Sequence, residues 1–263
     1  INSVGRNRFE QKQVVDVELR PNPLSPSTHH FGRSLPTVSD PAVIDPMGSD
    51  HVHFAMRQLF PASESPRFRS TSQEQLIDAI VTGCPEVIGI LATGEGKSLA
   101  FLLPSCLPRA AMTIVIVPLV ALKADMVRRC QAAGLSFAVW DHGQDTQRYL
   151  GTPLLFVSIE QAVRRRFRTF LGQLDATEGL DRVVFDELHL VITSSSFRPS
   201  MWLVGYLRQL SCQVVGLTAT LPPLMQAQLE ARLLFQQPRV IRSRTFRSDI
   251  VYRVRSSRDP NLL

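Results

Sequence analysis

The seven residues Ala92-Thr93-Gly94-Glu95-Gly96-Lys97-Ser98, directly after the apolar run Val87–Leu91, constrain this chain more than any others. A Val- and Ile-rich run of that length, bounded by turn residues, reads as a buried strand. A helical stretch follows it over Lys97–Leu107. In a strand–loop–helix setting, Gly94 and Gly96 let the backbone curl until successive N–H groups point inward at an anion. The N-terminus of the next helix adds its dipole to that site. Lys97 can then reach the β- and γ-phosphates of a nucleotide, and the Ser98 hydroxyl can ligate Mg²⁺. Thr93, Gly94, Glu95 and Gly96 form the wall of the loop. The strict G-x-x-x-x-G-K-[ST] pattern fails at its first position, where Leu91 stands, and the shorter T-G-x-G-K-[ST] form is left. A glycine-rich turn beside a surface lysine is the competing reading; a second motif downstream argues against it.

That second motif is Asp186-Glu187-Leu188-His189, at the end of the apolar run Arg182–Phe185. A carboxylate at a strand's C-terminal end, facing a phosphate loop, can hold the hydrated Mg²⁺ that bridges nucleotide phosphates, and Asp186 has that position. Glu187 beside it can polarise the attacking water as a general base. His189 is positioned to sense the γ-phosphate. Alone, D-E-x-H is a weak four-letter match; downstream of the loop in an alternating pattern it is specific. Thr218-Ala219-Thr220 follows a further run, Val214–Leu217, and its two hydroxyls can hydrogen-bond the acidic box and couple nucleotide state to motion.

The pattern between these motifs gives the fold. Short apolar runs at Val87–Leu91, Thr113–Val117, Leu154–Val157, Val183–Phe185 and Val214–Leu217 alternate with helical stretches. Those stretches lie near Gln73–Val81, Lys97–Leu107, Leu119–Ala133, Glu160–Leu174 and Met201–Leu210. Such alternation predicts a doubly wound α/β domain with a mostly parallel sheet and helices on both faces, and the phosphate loop makes it a P-loop NTPase fold. Ligands of such sheets bind at the carboxyl ends of the strands. Residues 1–50, with Pro21, Pro23, Pro26, Pro36, Pro41 and Pro46 among Ser, Asn and His, read as a flexible leader. Residues 51–243 read as the ATP-binding domain and 244–263 as the start of a linker. Because the first residue is Ile1, the chain reads as an excised fragment.

Bulk properties exclude little but agree. In 263 residues, 44% are hydrophobic and 20% charged, as in ordinary globular chains. No apolar run reaches the 18 or more residues of a membrane span, so no membrane partner is expected. Four dispersed cysteines without a C-x-x-C pair argue against a zinc site or a disulfide framework. The net charge of +6 suits a polyanion partner, and by itself it says no more than that. Arg164, Arg165, Arg166 and Arg168 are either single-strand contacts or a solvated helix face with Val163, Phe167 and Phe170 turned inward. Trp140 and Trp202 fit buried packing better than base stacking.

Taken together, these motifs resemble superfamily-two helicases, and RecQ-like DNA helicases within them. Phe68-Arg69 and Gln73 look like the nucleotide-recognition motif, which implies that Arg69 and Gln73 read the adenine of ATP. Ile116-Val117-Pro118-Leu119-Val120-Ala121-Leu122-Lys123 is similar to the first strand-contacting motif, Val157-Ser158-Ile159-Glu160 stands where a Pro-Glu motif occurs, and Phe197-Arg198-Pro199 matches the family's F-R-P. Pro118, Leu119, Lys123, Ser158 and Arg198 are therefore the implied nucleic-acid contacts. G-E-G-K-S and Leu217-Thr218-Ala219-Thr220-Leu221-Pro222-Pro223 look like the fungal branch encoded in subtelomeric and mobile-element DNA. The resemblance implies a nuclear 3′–5′ DNA helicase that uses ATP and Mg²⁺, acts on single-stranded or duplex DNA, and works with a second RecA-like domain of the same full-length chain. Rival readings are a catalytically silent nucleic-acid-binding relic, and an RNA helicase or duplex translocase on the same core.

Two departures matter. Family members carry aromatics between the acidic box and F-R-P, in a loop that senses single-stranded DNA and licenses hydrolysis. Here that stretch is Leu190-Val191-Ile192-Thr193-Ser194-Ser195-Ser196. No Q-x-x-G-R-x-x-R pattern is present either, and an arginine finger contributes about 10³–10⁵ in rate in related phosphoryl transfer. The 263 residues are thus expected to bind Mg²⁺-ATP and to hydrolyse it poorly.

Overall fold

The computed structural model describes residues 13–19, 49–117, 120–193, 206–207, 209–244 and 250–256, with backbone alone at 13–19, 49, 120–125 and 250–256. The chain divides into two compact units, one of 1–41 with 246–263 and one of 42–245. In the first, strand β1 (Gln13–Leu19) pairs antiparallel with strand β9 (Ile250–Ser256). β1 draws on Val14, Val15, Val17 and Leu19, apolar residues that favour strands. They lie within a stretch whose prolines had suggested little regular structure.

The larger unit is built on seven strands: β2 (Glu86–Ile90), β3 (Met112–Val117), β4 (Ala138–Val139), β5 (Leu154–Ser158), β6 (Leu180–Phe185), β7 (Gln213–Thr218) and β8 (Arg239–Arg242). Their order across the sheet is β4-β5-β3-β6-β7-β2-β8, and every neighbouring pair is parallel. The five inner strands are the five apolar runs of the sequence. Parallel strands covered on both faces need apolar residues at every position, which is why the inner runs are continuous. β4 and β8 form the edges, and their mixed residues gave no such run. Helices α1 (Ser49–Leu59), α2 (Thr71–Val81), α3 (Leu99–Leu102) and α4 (Val120–Ala132) lie on one face. There Met56, Leu76, Phe101 and Met126 pack with Val87, Val115, Phe156 and Val184. Helices α5 (Ile159–Ala162), α6 (Arg165–Ala176), α7 (Leu190–Thr193) and α8 (Pro223–Leu233) lie on the other. There Ile159, Phe170, Val191 and Leu229 pack with Ile88, Ile114, Leu155 and Val183. Successive strand residues enter opposite cores, as a period of two requires.

Two helix expectations are corrected. The stretch Lys97–Leu107 is helical only over Leu99–Leu102, followed by a 3₁₀ turn at Pro104–Cys106. Pro104 has no N–H to donate and its ring collides with the preceding turn, so the α-helix ends there. The stretch Glu160–Leu174 is two helices, because Arg164 takes an extended conformation (φ −73°, ψ 144°) between α5 and α6. Most of the expected helix Met201–Leu210 lies outside the described residues.

Candidate nucleotide site

β6, β7 and β2 are adjacent, so the acidic box, the Thr218 segment and the phosphate loop leave the sheet side by side at its carboxyl end. The loop begins as Leu91 N–H donates to Thr218 O at 3.1 Å. Gly94 (φ +90°) and Gly96 (φ +78°) occupy the left-handed region that glycine alone enters freely. At Gly96 a side chain is doubly excluded, since a Cβ would lie 2.4 Å from Gln73 Nε2. Lys97 Nζ donates to Leu91 O at 3.2 Å and Ala92 O at 3.5 Å, so the ammonium caps the loop's own carbonyls. The Ser98 hydroxyl makes no capping bond to α3. With α3 reduced to one turn, anion attraction comes from the loop N–H groups, Lys97 and that first turn, not from a long helix dipole.

Arg69 and Gln73 hold the loop from outside. Gln73, 3% exposed, accepts from Arg69 N–H through Oε1 at 2.7 Å and donates from Nε2 to Gly96 O at 3.1 Å. Its own N–H donates to Ser70 Oγ, the N-cap of α2, at 3.1 Å. The Arg69 guanidinium donates to Gly94 O. Both side chains implied as adenine readers are thus committed to the loop backbone in this structure. Thr93 is exposed. Glu95 Oε2 accepts from Ala92 N–H at 3.0 Å and from Ser243 Oγ at 2.5 Å.

The acidic box hangs between two strands. Asp186 N–H donates to Ile116 O of β3 at 3.0 Å, and Leu188 N–H donates to Leu217 O of β7 at 2.8 Å. Between them Glu187 adopts φ +52°, a left-handed conformation uncommon for a residue with a side chain. Such outliers persist where flanking contacts over-determine them. Leu188 is buried against Gly216, which is why the strand tolerates only hydrogen there. His189 Nδ1 lies 3.0 Å from Thr218 Oγ1 and 3.3 Å from Glu187 Oε2, and it ties the acidic box to the Thr218 segment. Thr218 is fully buried and its Oγ1 also accepts from Thr220 N–H at 3.2 Å. Thr220 joins through its backbone, whereas the sequence reading had given its hydroxyl a role.

The Asp186 carboxyl is pushed up to about 6, chiefly by burial and next by the Glu187 charge, with the Lys97 ammonium acting the other way. The Lys97 ammonium thus compensates its ionised form only in part. Ser98 Oγ and Asp186 are hard oxygen donors of the kind Mg²⁺ prefers, so a divalent ion held between them fits both the donor set and that deficit. Bound there, the ion would neutralise phosphate charge. Lys97 would give up two carbonyls to reach a phosphate oxygen, and Glu187 would orient a water.

Of the implied nucleic-acid contacts, Pro118, Leu119 and Arg198 and the Lys123 side chain lie outside the described residues, as does Trp202. Ser158 is 8% exposed at the end of β5. Arg164, Arg165 and Arg166 are exposed, with Arg166 donating to His142 O and Gln144 O at 2.7 Å each. Phe167 and Phe170 turn inward against Trp140, at ring distances of 4.9 and 5.1 Å. Trp140 is therefore a packing residue. Sequence reasoning missed Ser243, Gly216 and the Ile116 and Leu217 carbonyls, because each acts through a strand neighbour that carries no sequence motif.

A family model described as "DEAD/DEAH box helicase" matches residues 70–227, a span containing the phosphate loop, the acidic box and the Thr218 segment. The chain belongs to the DEAD/DEAH box helicase family. It is 32% identical over 202 residues to the ATP-dependent DNA helicase Q5 of Rattus norvegicus, covering 71% of this chain and 21% of that protein. It is 31% identical over 182 residues to the ATP-dependent DNA helicase RecQ of Pasteurella multocida (strain Pm70), covering 64% and 28%. RecQ-family helicases at about 30% identity thus stand behind the resemblance drawn from the motifs. The chain spans between about a fifth and somewhat over a quarter of the length of these relatives. A crystal structure of the DUF1998 helicase MrfA bound to DNA and AMPPNP superposes with a TM-score of 0.59 over 80% of this chain and 31% of that one, at 16% identity. That likeness supports the fold alone. Among the described residues no helix is long and apolar enough to cross a membrane.

Proposed function

We propose that residues 51–243 form the first RecA-like motor domain of a RecQ-like, ATP-dependent 3′–5′ DNA helicase, with 244–263 leading toward a second motor domain. The observation that carries this reading is the convergence of Lys97, Asp186, Glu187, His189 and Thr218 at the ends of three adjacent parallel strands. In this reading Lys97 and the loop N–H groups bind the phosphates, and Ser98 and Asp186 hold Mg²⁺. Glu187 orients the attacking water, and His189 relays the state of the γ-phosphate to Thr218. Single-stranded or duplex DNA is contacted by Pro118, Leu119, Lys123, Ser158 and Arg198, a role that rests on the motif resemblance. Resemblance alone supports a nuclear, chromosome-associated setting and a place in the fungal subtelomeric branch.

The stretch Leu190–Ser196, which has no aromatic residue, favours a second reading: a nucleotide-binding relative in which DNA no longer stimulates hydrolysis. Mg²⁺-ATP hydrolysis by the full-length gene product, with and without single-stranded DNA and with Lys97→Ala as control, separates the two. Stimulation by DNA that is lost in Lys97→Ala supports the motor. Nucleotide binding without DNA stimulation supports the relic, and absence of nucleotide binding removes both.

A further inference from the structure

Glu95 is the one acidic side chain of the phosphate loop, and it is turned back into the loop. Its Oε2 accepts from Ala92 N–H at 3.0 Å and from the Ser243 hydroxyl at 2.5 Å, while Ala92 N–H also approaches Ser243 Oγ at 3.2 Å. An O–H···O⁻ bond of that length belongs to the strong, charge-assisted class. Ser243 is held in turn, since its N–H donates to Ile90 O, the last residue of β2, at 2.8 Å. Glu95 therefore joins the loop to the exit of β8, alongside the Ala92 N–H contact to the same hydroxyl.

We infer that Glu95 and Ser243 form a latch that keeps the phosphate loop closed on itself until nucleotide phosphate displaces the Glu95 carboxylate. The inference rests on reading the loop as a nucleotide site. In the closed loop two of the groups suited to phosphate, the Lys97 ammonium and the Ala92 N–H, are already engaged within the protein. Lys97 Nζ is bound to the Leu91 and Ala92 carbonyls, and Glu95 supplies an internal anion at Ala92 N–H. A polyphosphate brings several negative charges into the same small concavity. Like charges that close repel, so phosphate and the inward carboxylate exclude one another. Phosphate binding draws Lys97 off its carbonyls and turns Glu95 outward, which releases the Ser243 hydroxyl. The loop's occupancy is thereby felt at Ser243, where the chain leaves β8. Glycine at position 95 would lack both the internal anion and the tie to Ser243, so the residue type at this position sets nucleotide affinity.

Calorimetric titration of the 263-residue chain with Mg²⁺-ADP tests this on four proteins: wild type, Glu95→Ala, Ser243→Ala and the double variant. Removal of one net hydrogen bond from the closed state corresponds to about five-fold tighter binding. The latch predicts that gain in each single variant, with the double variant no tighter than the better single. It also predicts faster hydrogen exchange at Ala92 N–H in both single variants without nucleotide, alongside a nucleotide-free thermal midpoint lowered by about 2–4 °C. Tighter binding in Glu95→Ala with no change in Ser243→Ala reduces the effect to simple charge repulsion and overturns the latch. Weaker binding in both overturns it too, because the residues would then assist nucleotide. Binding by wild type with both variants unchanged removes the latch and leaves the nucleotide site standing. If none of the four binds, the nucleotide-site reading fails and takes the latch with it.

Discussion

Replacing Gly216 by alanine tests how the acidic turn is held. The new Cβ would lie 2.2 Å from Leu188 Cδ2, 3.2 Å from Cγ and 3.3 Å from Cδ1. The crowding thus involves the body of the side chain as well as its tip. Leu188 has no free direction, being fully buried with its N–H bonded to Leu217 O at 2.8 Å. Overpacking of this kind costs about 1–3 kcal/mol. Loss of glycine's freedom in the unfolded chain returns about 0.4–1 kcal/mol. The expected net destabilisation is therefore about 0–2.6 kcal/mol. In a Leu188→Ala background the clash is absent and only the unfolded-state gain is left, so Gly216→Ala becomes neutral or stabilising there. Urea unfolding followed by Trp140 fluorescence gives the four stabilities of the cycle, and the expected coupling is about 1–3 kcal/mol. Because the displaced turn carries Asp186 and Glu187, nucleotide affinity should fall in the single variant as well. If Gly216→Ala costs the same in both backgrounds to within about 0.5 kcal/mol, the packing argument is refuted.

Asp186→Asn should stabilise the protein at neutral pH. With its carboxyl raised to about 6, the native state holds a proton between pH 4 and 6 that the unfolded chain has released. Stability from this group therefore falls as pH rises through that window, by about 2–3 kcal/mol in all. The asparagine variant should melt higher than wild type at pH 7.5 and equally at pH 4; a gain of the same size at both values contradicts the burial argument. Gln73→Ala should lower stability by about 1–3 kcal/mol without nucleotide, because it leaves Arg69 N–H and Gly96 O unpaired. A side chain that only reads adenine would leave the nucleotide-free melt unchanged. Trp140 Nε1 is buried without a partner among the described residues, so Trp140→Phe sheds an orphan donor together with some packing. A change within about 1 kcal/mol is expected, against about 3–5 kcal/mol for Trp140→Ala, both read from urea midpoints. A large loss in the phenylalanine variant would show that Nε1 has a partner.

The inner strands were legible because a parallel strand covered on both faces writes itself as an unbroken apolar run, as in Ile114–Val117 and Leu154–Val157. The phosphate loop and acidic box were legible because their chemistry needs fixed residue types at fixed short spacing. Edge strands were not, since β8 is Arg239-Val240-Ile241-Arg242, at the end of the strand order among the described residues, and nothing in that string separates it from a loop. Helix lengths were misjudged where one backbone event, Pro104 or the extended Arg164, interrupted a sound periodicity.

By itself the sequence determined that a phosphate loop, a carboxylate pair and a threonine segment occur in order on an α/β chain, because each is a local string. Only the tertiary structure decided that β6, β7 and β2 lie side by side, which places those strings around one point. It also decided that Gln73 and Arg69 grip the loop and that His189 bridges Glu187 to Thr218. Glu95's bond to Ser243, 148 positions away, belongs to the same class. The physical reason is common to all: hydrogen bonds and close packing act over about 3–4 Å, and which distant residues come within that range depends on strand order, which no local pattern encodes.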